Sequence, residues 1–137
     1  MKLNKLLTLI VLLLPFQVFA QEETMTLNDF VSQLNAACPR VLNDGWTVNS
    51  FTLDADTLSV SITVADDAAQ YLPMMAANAK QMKTMWIRQI PQYGPYWNKM
   101  VERVVAMRKT LVVDLKASEG DNHATFVFSP DELAPKQ

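Results

Sequence analysis

The stretch WTVNSFTLDADTLSVSITV, residues 46–64, predicts two β-strands joined by the loop DADT. In the second strand every other residue is apolar: Leu58, Val60, Ile62 and Val64. The residues between them are serine or threonine, so one face of the strand is apolar and the other is polar. This alternation indicates a sheet with one face packed on a core and one face in water.

The first strand of this pair contains an irregularity. Trp46 and Val48 share one phase of the alternation, whereas Phe51 and Leu53 share the other. One extra residue restores the phase, because a β-bulge places two residues of one strand opposite a single residue of its partner. We therefore predict a bulge near positions 49 and 50.

Helical periodicity appears on both sides of this hairpin. Before it, apolar residues recur at three- and four-residue steps from Leu27 to Cys38, and Pro39 is expected to end that helix. After it, the segments 73–90 and 95–107 each carry an apolar stripe, and PQYGP between them predicts an antiparallel helical hairpin. Both helices are rich in methionine, which we expect to fill core space or line a peptide groove in preference to binding copper.

Two more strands are predicted near the C terminus, over residues 111–116 and 123–128, joined by the turn EGDN. SPDEL then predicts one capped helical turn. The predicted order is helix, two strands, two helices, two strands. We therefore expect a single α+β domain with a four-stranded, mainly antiparallel sheet and helices packed on one face.

The N-terminal segment has the parts of a secretory signal peptide. A positive start at Lys2 and Lys5 is followed by an apolar run over residues 6–14 and by small residues that end at Ala20. We expect residues 1–20 to be cleaved and residues 21–137 to form the mature domain, in the periplasm or outside the cell. No later stretch approaches the length that spans a membrane, so no integral membrane segment is expected after cleavage.

Charge is unevenly distributed along the chain, whose net charge is −2. Residues 21–70 contain eight acidic residues and one basic residue, Arg40, whereas residues 71–110 contain seven basic residues and one acidic residue, Glu102. Such blocks can steer a charged partner, but on helices they are usually the solvated face. Nucleic acid is not expected as a partner.

The residues that most catalytic and metal sites require are scarce. The chain has one histidine, one cysteine and three glycines. The phase of the strand places His123 on the polar face, zinc sites need several histidine or cysteine ligands, and phosphate-binding loops need more glycine. We expect no metal and no cofactor, and we name no catalytic residue.

Cys38 lies on the apolar stripe of the first helix, at its carboxyl end. The helix dipole disfavours a thiolate there, and no second cysteine completes a redox pair. We predict a buried structural thiol. An intermolecular disulfide and a reactive thiol are the alternatives.

The segment PQYGPYW places Tyr93, Tyr96 and Trp97 between the two predicted helices. Such rings either cover the end of the hairpin or give a partner a large rigid contact area at little entropic cost. We predict that these three residues belong to a binding surface. The chain would then be an exported, non-enzymatic domain that recognises a protein, peptide or glycan there or on the apolar helical hairpin. The alternative is a small periplasmic enzyme whose site is built from scattered carboxylates or from Cys38.

The region from Phe30 to Val64, where LNAACP ends a helix and WTVNSFTLDADTLSVSITV follows, resembles a pattern in small exported bacterial proteins of unassigned function. The resemblance implies a compact α+β domain in the periplasm or outside the cell. It implies nothing about a substrate.

Overall fold

This computed structural model describes residues 25–41, 45–93 and 95–134, without the side chains of residues 93 and 95–97. The predicted signal peptide, residues 1–20, lies outside the described residues. The elements are, in order, α1 (Leu27–Ala36), β1 (Arg40–Val41), β2 (Thr47–Leu53), β3 (Thr57–Val64), α2 (Asp66–Ala69), α3 (Leu72–Ala77), α4 (Ala79–Gln89), a 3₁₀ helix (Ile90–Tyr93), α5 (Pro95–Ala106), β4 (Thr110–Ala117), β5 (His123–Phe128) and α6 (Pro130–Leu133).

The strands form one five-stranded sheet in the order β1-β2-β3-β4-β5. Neighbouring strands are antiparallel except β3 and β4, which are parallel, so the domain is α+β with a mixed sheet. The predicted α+β class is confirmed and three of the four pairings are antiparallel, but the sheet has five strands, not four, and its central pairing is parallel. Strand β1 has only two residues, too few to show an alternation, and the helices between β3 and β4 form a crossover that returns the chain to the same end of the sheet.

The predicted bulge in β2 is confirmed. The register with β3 shifts between Val48 and Ser50, which leaves Asn49 as the extra residue. The Asn49 side-chain amide donates hydrogen bonds to the hydroxyl oxygens of Ser61 at 3.3 Å and Thr63 at 3.0 Å. These bonds hold the bulge on the polar face of the sheet.

The core lies between the opposite face of the sheet and the helices. Along β3, buried residues alternate with half-buried ones over the whole strand, as predicted. The same face of β4 and β5 adds Leu115 and Phe126, neither of which has measurable exposure. His123 is exposed on the polar face, opposite Lys116 of β4.

Helix α1 is attached directly to the backbone of β2 through one side chain. Asn35 Nδ2 donates to the carbonyl oxygen of Phe51 at 2.6 Å, and the Phe51 amide donates to Asn35 Oδ1 at 2.7 Å. The pairing of β1 with β2 covers Thr47 and Val48 only. At Phe51 the Asn35 amide therefore takes the place of a neighbouring strand.

The helices between β3 and β4 differ from the prediction in number. The helix predicted over residues 73–90 is divided at Asn78, whose φ of −112° and ψ of 30° lie outside the helical range. The Asn78 side chain donates to the Met74 carbonyl at 2.8 Å, a local bond that competes with regular helix. Met82 and Met100 are buried as predicted, but Met107, which follows the end of α5, is 53% exposed.

Candidate functional site

A groove of about 850 Å³ lies between α4 and α5. Its walls are mostly apolar. They are formed by α4, the 3₁₀ helix, α5 and the end of α6. The apolar lining residues include Ile87, Ile90, Pro91, Val101, Val105 and Leu133. Its volume lies within the range of about 300–1,000 Å³ that ligand pockets span, but the groove is open to solvent on one side.

Helix α5 explains why this groove is apolar. Met100 and Val104 are buried in the core, whereas Val101 and Val105 are half-buried and line the groove. Each groove valine follows a core residue by one position, which is about 100° around a helix. Val101 and Val105 pack against the margin of the core, so the apolar surface of α5 continues from the core into the groove.

The rim of the groove on α4 is basic. Lys80, Thr84 and Arg88 follow one another at four-residue steps, so they form one row along the helix. Thr84 and Arg88 line the groove, and Lys80 and Arg88 are both exposed. Within the part of the chain that the structure describes, neither the Lys80 nor the Arg88 side chain forms an ion pair or hydrogen bond.

Three other basic residues near the groove are paired with acids. Lys83 Nζ lies 2.9 Å from Glu132 Oε2, Lys99 Nζ lies 3.5 Å from Glu102 Oε1, and Arg108 Nη1 lies 3.1 Å from Asp131 Oδ1. Glu102 is the acidic residue of the rim on α5. The positive charge of the helices is therefore neutralised at these positions, whereas Lys80 and Arg88 have no acidic partner among the described residues.

Helix α6 is the capped turn that SPDEL predicted, and it contributes Leu133 to the groove. The Ser129 amide donates to Glu132 Oε1 at 2.8 Å, and the Glu132 amide donates to Ser129 Oγ at 3.1 Å. The hydrogen bond from the Ser129 backbone, followed by the contact with Lys83, lowers the pKa of Glu132. The same carboxylate thus caps α6 and ties it to α4.

The predicted binding residues lie at the junction of α4 and α5. Tyr93 ends the 3₁₀ helix, and Tyr96 and Trp97 belong to the first turn of α5, but their side chains are outside the described residues. Pro91 and Asn98, on either side of this segment, both line the groove. The role of the three aromatic residues in binding therefore stays a prediction. Their segment lies next to the groove, because the residues on both sides of it line the groove.

The sequence predicted possible binding on the helical hairpin, with methionine as a candidate groove lining, but no described methionine is among the residues that line this groove. It gave each helix of the hairpin an apolar stripe but did not single out Ile87, Arg88 or Val105 as lining residues. The apolar pairs at positions 100–101 and 104–105 of α5 were the signal that could have found it, because a stripe this wide can extend beyond the fully buried face of a helix.

Cys38 is half-buried, so the prediction of a buried thiol was only partly right. It packs at the margin of the core, and its Sγ donates to the Leu34 carbonyl oxygen at 3.3 Å. Burial raises the pKa of the Cys38 thiol. A thiol with a raised pKa keeps its proton at neutral pH, and the thiolate is the reactive form.

Several carboxylates have structural roles. Asp66 accepts a hydrogen bond from the Ser118 hydroxyl at 2.8 Å, and Asp114 accepts one from the Thr125 hydroxyl at 2.9 Å. Among the residues that the structure describes, no three histidine, cysteine, aspartate or glutamate side chains are grouped so that they could hold a metal ion. None of the described helices combines the length and apolar character that a membrane span requires.

The sequence matches no protein-family model and no curated protein. In fold, the chain is similar to the crystal structure of a "putative secreted protein" from Pseudomonas aeruginosa, with a TM-score of 0.57. The alignment covers 85% of this chain and 99% of that chain, at 12% sequence identity. At this identity the likeness shows the fold alone, and at that level the predicted resemblance to small exported α+β proteins is confirmed.

Proposed function

We propose that this chain is an exported, non-enzymatic binding domain that holds an amphipathic helix of a partner protein in the groove between α4 and α5. The observation that carries the proposal is the pair Val101 and Val105, which stand one helical turn apart on α5 at the margin of the core, are only half-buried, and line the groove. Ile87 on α4 also lines the groove. Two helices with apolar residues along a groove accept a third helix by ridge-into-groove packing.

Export is part of the proposal, and two observations support it. The first 20 residues have the composition of a signal peptide. The fold is similar to that of a protein named as secreted. The alternative of an enzyme with Cys38 as nucleophile is less well supported, because burial raises the pKa of that thiol.

The proposal can be tested with a displayed library of peptides of about 16 residues, long enough for partial helix formation in isolation. Each peptide carries leucine at i, i+3, i+4 and i+7 and random residues elsewhere. We expect selection on the mature protein to yield helices whose affinity falls at least tenfold, about 1.4 kcal/mol, in Val101→Asp, because a carboxylate would then have to be buried against the bound leucines.

Two further variants make this test specific. Ala106 is exposed and lines the groove, so Ala106→Glu should reduce binding without disturbing the core. Val127 is 48% exposed on the polar face of the sheet, so Val127→Asp is the matched control and should leave binding unchanged. Equal affinity of the selected helices for the parent protein, Val101→Asp and Ala106→Glu would refute the groove as the site.

The aromatic junction is proposed as the end of the same site. Replacing both Tyr93 and Tyr96 with alanine should lower the affinity for the selected helices severalfold and change the melting temperature of the protein little. The reason is that rings beside an exposed loop contribute more to binding a partner than to packing the core. Binding is measured by fluorescence anisotropy and melting by circular dichroism. A double variant that melts like a core variant, or that binds as tightly as the parent, would show that the junction is structural.

A further inference from the structure

The basic rim of the groove is the row Lys80, Thr84 and Arg88 on α4. Its two charged residues are eight positions apart, which corresponds to about 12 Å along a helix. Thr84 between them donates its hydroxyl to the Lys80 carbonyl oxygen at 2.9 Å, so its hydroxyl hydrogen is directed to the helix backbone. The exposed feature of this rim is therefore a pair of cations that no described acid neutralises.

The rim on α5 is different in charge. Its polar lining residues are Asn98 and Glu102, and Glu102 is paired with Lys99. The Asn98 side chain lies 3.5 Å from the Pro91 carbonyl oxygen, on the 3₁₀ helix. One rim thus has two positive charges that no described residue neutralises, and the other has a neutralised pair, so the two sides of the groove are electrostatically unequal.

We infer that the partner helix is acidic along the flank that faces α4, with carboxylates seven or eight residues apart beside its apolar stripe. This inference rests on the proposed function and adds the charge of the ligand to it. The geometry is that of the flanking positions of a coiled coil, where charges beside the apolar seam select the partner and its orientation. A helix bound in the opposite direction would turn its acidic flank toward α5 instead of α4. A helix with basic flanks would place positive charges next to Lys80 and Arg88.

The expected contribution to affinity is modest because both cations are exposed. Exposed ion pairs are typically weak, so we expect each pair to raise the affinity about threefold. Two pairs then contribute about tenfold at low salt. The difference should shrink as salt rises from about 0.05 M to about 0.5 M, because screening over these distances becomes strong.

The same library tests the inference when it is selected in parallel on three proteins. On the parent, we expect aspartate and glutamate to be enriched at two flank positions seven or eight residues apart. On the double variant Lys80→Gln and Arg88→Gln this enrichment should disappear, and on Lys80→Glu and Arg88→Glu it should change to lysine and arginine. Lys116→Gln, on the polar face of the sheet, is the control and should keep the acidic preference.

A direct measurement completes the test. A selected peptide is compared with its Glu→Gln form, and the expected tenfold loss of affinity should be absent in the Lys80→Gln and Arg88→Gln variant. If selected helices lose affinity in Val101→Asp but show no acidic preference, the inference is wrong and the groove remains the site. If no selected helix is sensitive to Val101→Asp or Ala106→Glu, the proposed function is wrong and the inference falls with it.

Discussion

Replacing Trp86 by alanine is expected to lower the free energy of unfolding by about 3–5 kcal/mol. Trp86 is 6% exposed on the core side of α4. Its ring meets Phe126 edge-on, with centroids 4.7 Å apart and planes at 78°, and its centroid lies 6.1 Å from that of Phe128. The substitution would therefore leave a large cavity between α4 and β5 and remove two aromatic contacts.

Trp86→Phe is the matched variant for this prediction. The indole Nε1 of Trp86 is buried without a hydrogen-bond partner among the described residues, so phenylalanine removes ring volume but no hydrogen bond. We expect a loss of about 1–2 kcal/mol, well below that of alanine. Urea unfolding followed by far-ultraviolet circular dichroism measures both. Equal losses for phenylalanine and alanine would contradict the prediction, because the smaller ring would then contribute nothing to the packing of α4 on β5.

Replacing Asn35 by alanine should cost about 2–3 kcal/mol, more than its half-buried position alone suggests. The Asn35 amide serves both the amide and the carbonyl of Phe51, at 2.7 and 2.6 Å, and Phe51 is 4% exposed. Without Asn35 both backbone groups lose their partner, and each buried polar group without a partner costs about 1–3 kcal/mol. The expected loss for Asn35→Ala is smaller than the full cost of two buried groups without partners, because water can reach the backbone of Phe51 at the edge of the sheet.

Asn28 provides a control on the same helix. It is exposed on α1, so Asn28→Ala should change the free energy of unfolding by less than about 0.5 kcal/mol. Hydrogen exchange gives a second measurement, because the Phe51 amide should exchange faster in Asn35→Ala than in Asn28→Ala. If the two variants are equally stable and the Phe51 amide exchanges at the parent rate, Asn35 does not secure β2.

Both predictions concern residues that the sequence did not single out in these roles. Trp86 lies in the segment 73–90, for which the sequence predicts an apolar stripe, but its contact with Phe126 and Phe128 joins residues about 40 positions apart. Asn35 stood in the sequence as an ordinary polar residue of a helix. Its role depends on where β1 stops pairing with β2, which two residues of sequence cannot reveal.

The groove also depends on distant parts of the chain. Val101 and Val105 are apolar in the sequence, but they line a groove because Met100 and Val104 occupy the core. Likewise, the sequence has seven basic residues over residues 71–110, but it does not show which of them form ion pairs with acidic residues. Lys83 and Arg108 are neutralised by Glu132 and Asp131 of α6, whereas Lys80 and Arg88 have no acidic partner in the part of the chain that the structure describes.

The sequence by itself determined the features that neighbouring residues encode. The alternation in β3, the phase change that predicts the bulge at Asn49, and the capping box at Ser129 and Glu132 are all local, because each depends on residues within a few positions. The tertiary structure decided the parallel pairing of β3 with β4, the length of the sheet edge that β1 covers, and the groove between α4 and α5. Those features depend on which distant surfaces meet when the core closes, and periodicity along one segment contains no information about its distant partner.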